Sequence, residues 1–263
     1  MIPHAGRVLR SHLRIAISSE LAYRSNFWLY LLNSVLTLAA SLSGLALVYA
    51  HIDTLGGWTV NDLLVVIGVF FTLGAFVNGV VHMSIAQLVA DIRQGAFDFR
   101  LLKPVDAQLV ALGQKPDPWR ILDVALGLGV IVVGLARGGF DGGLGAIVVA
   151  TCMFAISVAI IGAFWSLLAC VTFWTVQGEG ILWALDDMYD HLRWPITVFP
   201  TALRIALSTV FPAGLAVTVP AQALTGRLDA TTAATAAAVA LILVVLARWV
   251  WNRAVQRYEG ASA

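Results

Sequence analysis

The sequence predicts an all-α polytopic membrane protein, one transmembrane domain over residues 1–263. It should have six spanning helices, an N-terminal amphipathic elbow helix, a cytoplasmic amphipathic helix after the second span, and short non-spanning helices before the last. Three observations predict this. The chain is 60% hydrophobic and 12% charged, with mean hydropathy +0.87, more apolar surface than a water-soluble core of 263 residues can hide. Apolar runs of bilayer length alternate with short polar breaks. Basic residues sort to one side of that alternation.

The elbow helix is expected over residues 6–25. Leu9, Leu13, Ala16, Ile17 and Leu21 form its apolar stripe. Arg7, Arg10 and Arg14 lie away from the stripe and Arg24 closes it, which suits anionic membrane lipids. Spans follow at 27–49, 63–82, 121–136, 144–174, 194–211 and 230–251. The fourth is longer than a bilayer needs and should tilt or project. The fifth is interrupted by Pro195 and Pro200, and Pro212 and Pro220 follow it. A six-span path with both termini in the cytoplasm places inside Arg7, Arg10, Arg14, Arg24, Arg93, Arg100, Lys103, Lys115, Arg120, Arg193, Arg248, Arg253 and Arg257.

Residues 84–105 stand out because they are charged yet follow an apolar run. Ile85, Leu88, Val89 and Ile92 share one helical face. Gly95 occupies a C-cap position, and Phe97, Asp98, Phe99 and Arg100 lead to a stop at Pro104. Two readings are open: a helix and hook gripped by another protein, or an ordinary interfacial loop helix.

Several chemistries lack their residues. A phosphate cradle needs Gly-Lys, but Lys103 and Lys115 follow Leu and Gln. His4, His12, His51, His82 and His191 are scattered without metal-ligand spacing. No serine sits in a G-x-S-x-G setting. A net charge of +1 offers no field for nucleic acid. Cys152 and Cys170 in one helix would stand roughly 27 Å apart and cannot pair, and the start of the chain lacks a cleavable signal pattern. These features predict a protein that is no enzyme and holds no metal or cofactor of its own.

Arg204 falls about ten residues into the fifth run, where an arginine is costly unless it meets a partner or a wet cavity. It is a candidate pathway or gate residue, the alternative being an arginine that snorkels to water. Ala155, Ala159 and Ala163 recur every fourth residue and suit close helix approach. Most of the nine tryptophans fall near span ends, as in an interfacial belt.

The I-R-Q-G-A-F-D-F-R-L-L-K-P-V run at 92–105, F-P-T-A-L-R at 199–204, the segment between Pro212 and Pro220, the basic elbow and the closing W-N-R-A-V-Q-R-Y-E-G-A-S-A together resemble the permeases of type-two ABC exporters. More narrowly, they resemble the bacterial subfamily of about 260 residues. The tail departs slightly at Glu259-Gly260. The resemblance implies a cytoplasmic-membrane exporter subunit that works with a second permease copy or a related permease. Separate ABC ATPase subunits would bind the ATP and Mg. It makes 84–94 a coupling helix, with Ile85, Leu88, Ile92 and Phe97 as apolar anchors on the ATPase, Arg93 and Asp98 orienting them, and Gly95 and Pro104 shaping the hook. A stand-alone secondary carrier or channel would want broken spans in both halves, and only the second half has one. An accessory membrane subunit without a transport role is the further alternative.

Overall fold

The structure is a computed structural model. It describes residues 11–15, 18, 24–102, 105–174, 189, 191–209 and 211–258. Every regular element among them is helical. The one β contact is an isolated bridge between Leu55 and Trp58 in a turn.

Among the described residues, five helices are long and apolar enough to cross a membrane. Helix α1 is Arg24–Tyr49. Helix α2 runs unbroken over Val60–Arg93, 34 residues, and contains a π-helical turn at Val77–His82. One-turn helix α3 (Asp98–Leu101) and helix α4 (Ala107–Gly113) follow. Helix α5 is Ile121–Gly138, entered through a 3-10 turn at Pro118–Arg120. Helix α6 is Gly143–Cys170. After 3-10 turns at His191–Arg193 and Ile196–Val198 come α7 (Thr201–Thr209) and α8 (Ala213–Leu224), bent by 101°. Helix α9 is Ala230–Gln256.

Local chemistry sets most boundaries. Thr59 and Asp62 form a reciprocal capping box at the start of α2. Asp106 caps α4 and Asp229 caps α9. Gly139, at φ 73°, ends α5 in the left-handed conformation that glycine alone adopts without penalty.

The turns at 50–59, 139–142 and 225–229 gather at one face of the bundle. There Asn61 Nδ2 donates to the Arg137 carbonyl at 3.1 Å and Arg227 pairs with Asp62 at 2.7 Å. The ends of α2, α6 and α9 gather at the opposite face, which also carries α3 and α4. The tightest pair is α2 with α5. A Cβ at Gly68 would stand 2.6 Å from the Gly127 carbonyl, so only glycine permits this approach.

The helix expected at 84–94 is present as Met83–Arg93 and continues α2 through its π-helical turn without a break. At 1.5 Å per residue α2 is about 51 Å long, so roughly its last 20 Å lies beyond a 30 Å hydrocarbon core. The run at 194–211, expected as the fifth span, holds no single helix long enough to cross among its described residues. Among the described residues of that range the only α-helix is nine-residue α7, about 13 Å long and too short to span. Phe173 lies at the opposite face beside Trp251, whereas Thr197 accepts a 2.8 Å hydrogen bond from Trp58 Nε1 at the turn face. Phe173 and Thr197 therefore stand at opposite faces, and residues 175–188 and 190 between them lie outside the described residues. Tyr189 and Leu192 are buried. Arg193, counted from its charge among the cytoplasmic basic residues, is part-buried with its Nη1 3.4 Å from Ser41 Oγ. The acidic positions Glu179, Asp186, Asp187 and Asp190 lie outside the described residues.

Helix α8 is small or apolar apart from Gln222, and Ala213–Ala221 is buried throughout, as expected of a central core helix. It packs on α6 and α2. Ala155 is exposed, and Ala163 is buried near α9.

Candidate functional site

At the opposite face the chain builds a knob from the end of α2 through α4. Gly95, at φ +70°, turns the chain back after Arg93. The Phe97 amide then donates to the Asp91 carbonyl at 3.2 Å, and Arg100 pairs with the buried Asp91 carboxylate. Gln87 donates to the same carboxylate at 2.9 Å. The fold thus drives the Phe97 ring inward. It is 0% exposed and meets Phe173, Tyr258 and Trp251 with ring centroids at 5.4, 5.3 and 6.2 Å, edge to face as aromatic quadrupoles prefer. This cluster ties the knob to the ends of α6 and α9.

Polar clamps fix the rest of the knob. Gln108 Nε2 donates to Ser166 Oγ at 3.0 Å, and Arg248 donates to both Asp106 Oδ1 and Gln108 Oε1. Burial alone would raise the Asp106 pKa. Hydrogen bonds from Arg248 and from the Leu109 and Gln108 amides outweigh it and hold the carboxyl below its ordinary 3.8. Burial, and then the Asp98 carboxylate, push the Tyr258 phenol up. Gln114 donates to the Ser84 carbonyl at 2.9 Å and the Lys115 amide to Ser84 Oγ at 3.1 Å.

The expected contact residues therefore divide. Ile85, Leu88 and Phe97 are core residues of this chain, buried by α2's own packing, and Ile92 is half-buried against the core. Ile85, Leu88 and Phe97 offer no free apolar surface, so their assignment as outward anchors is corrected, while Ile92 keeps part of its side chain exposed. Arg93 is exposed, and Gly95 and Asp98 are half-exposed. Pro104 lies outside the described residues. The apolar side chains that do face outward are Phe99 at 72%, Leu102 at 81%, and Leu101. Their alternation with Phe97 and Asp98 was readable. Which half turned inward depended on the α2 to α3 turn.

Arg204 lies exposed on α7, whose side chains 201–205 are all exposed. Its amide donates to the Pro200 carbonyl at 2.9 Å. In the elbow, residues 11–15 are helical with Arg14 exposed. Arg7 and Arg10 lie outside the described residues, as does the side chain of Arg24.

One arrangement has no counterpart in the sequence reading. The inward edge of α1 is polar: Asn33, Ser34 and Thr37 line a cavity of about 200 Å³ with Asn78, Arg120, Asp123 and Tyr189. Arg120 Nη1 bonds Asp123 Oδ2 at 3.1 Å. Ser34, Thr37 and Ser41 at intervals of three and four were its available signal.

The family model for the ABC-2 family transporter protein matches residues 35–262. No curated protein and no solved structure matches the chain.

Proposed function

The chain belongs to the ABC-2 transporter family and is a multi-pass membrane permease; from this we propose that it is the membrane subunit of an ATP-driven exporter. It works as a dimer with a second permease and is powered by separate cytoplasmic ABC ATPase subunits that bind the ATP and Mg. The face that carries α3 and α4 is cytoplasmic, on the strength of Arg93, Arg100, Lys115, Arg248, Arg253 and Arg257 there. In a bacterium this is the inner membrane.

The observation that carries the reading is the outward apolar triad Phe99, Leu101 and Leu102 on a knob braced from behind by Phe97. Exposed apolar clusters outside the hydrocarbon mark binding surfaces, and large apolar anchors carry most of a contact's energy. A partner that closes on ATP shifts the permease only through differential affinity for its two states. A rigid knob joined to the ends of α6 and α9 suits that task. The test is co-purification: Phe99→Asp with Leu102→Asp should release the ATPase while the permease stays folded. Retention of the ATPase by the double variant refutes the contact. For Arg204, an exposed charge on the bent α7/α8 pair supports a pathway role. Arg204→Leu should abolish export at normal expression, and normal export would leave it a snorkelling residue.

A further inference from the structure

We propose that the cleft between α1, α2 and the start of α5 binds a bilayer phospholipid with a zwitterionic headgroup, the headgroup in the polar cavity and an acyl chain in the apolar groove beside it. The two spaces adjoin. The groove, about 670 Å³, is walled by Phe76, Val80, Ile121, Val124 and Phe154, and Arg120 lines both groove and cavity. The π-helical turn of α2 divides them, turning Asn78 to the polar side and Val80 to the apolar side. Such π turns are frequent at functional sites.

Depth and charge select the occupant. Trp119 and Arg120 stand at the end of a span, the level at which lipid headgroups meet water. The Arg120 guanidinium is flanked by two carboxylates, Asp123 at 3.1 Å and Asp117 at 3.6 Å. Its buried Nε makes no hydrogen bond among the described residues. An anionic headgroup would face two negative charges for one positive. A headgroup bearing a phosphate and a primary ammonium meets the guanidinium with the one and a carboxylate with the other. Helix α1 supplies hydroxyls and amides on its inward edge, yet its outer side is exposed and apolar. The cleft therefore lies beside lipid.

The test is native mass spectrometry of the full chain in mild detergent, titrated with phosphatidylethanolamine or phosphatidylglycerol of matched acyl chains. Phosphatidylethanolamine should be retained at least about tenfold better, as expected for one additional charge-assisted hydrogen bond. Asp123→Asn should remove that preference, and Val124→Trp should reduce retention of both lipids by filling the groove. Equal retention of the two lipids by the unaltered chain, or a preference for phosphatidylglycerol, overturns the proposal. Should Asp123→Asn fail to fold, Ser34→Leu, which places an apolar side chain in the headgroup cavity, must lower phosphatidylethanolamine retention; unchanged retention there also overturns it. The readout is independent of ATPase binding and of export.

Discussion

Phe97 and Phe99 are two residues apart in one charged segment, and the fold gives them opposite fates. Phe97 is enclosed by Phe173, Trp251 and Tyr258, while the Phe99 ring stands clear of the molecule. The difference comes from the Gly95 turn and from the Asp91 to Arg100 pair. Together these aim one side of α3 at the ends of α6 and α9 and the other side at solvent. One short element thus both anchors the structure and presents a surface. Substitutions within it should separate stability from partner binding.

The largest expected effect is at Phe97. Phe97→Ala removes a fully buried ring and should cost about 3–5 kcal/mol, and Phe97→Asp should prevent accumulation of folded permease. Thermal unfolding in detergent measures the first, and size-exclusion yield the second. A stable Phe97→Asp protein would break the comparison. Next is Arg100→Leu, which leaves the buried Asp91 carboxylate without its cation and should cost about 3 kcal/mol; Asp91→Asn in the same background should recover part of it. Phe99→Asp and Leu102→Asp should change unfolding by less than about 0.5 kcal/mol, as surface substitutions do, and lose only the proposed ATPase contact.

The smallest effect is with pH. Because the Asp106 pKa lies below its ordinary 3.8, its clamp contributes stability above that value and loses it as pH falls further. Hydrogen exchange of the Gln108 and Leu109 amides, corrected for intrinsic rate, should rise below pH 3.8. Asp106→Asn should show no such step.

Much of the fold was legible. Four spans at 27–49, 63–82, 121–136 and 230–251 lie within described helices because hydrophobic length alone demands a crossing. The run at 144–174 is α6 with its closing 3-10 turn. Apolar character marked 194–211 as a span, but Pro200 and Pro212 bracket a helix too short to cross by itself. Polar residues buried within a bundle defeat a hydropathy reading in the same way. Arg193 lies beside Ser41, and Arg120 with Asp123 lines a cavity, where each charge meets a partner and escapes the cost a scale assigns to it.

By itself the sequence determined the class of the molecule, the side to which its basic residues sort, and the existence of a charged amphipathic segment after the second span. These follow from the partition of side chains between lipid and water, a property of composition and local periodicity. Only the tertiary structure decided which face of that segment turns inward, because a helix stripe is satisfied equally by its own bundle or by a partner. Ile85, Leu88 and Phe97 found their contacts inside the chain, leaving Phe99, Leu101 and Leu102 as its outward apolar face.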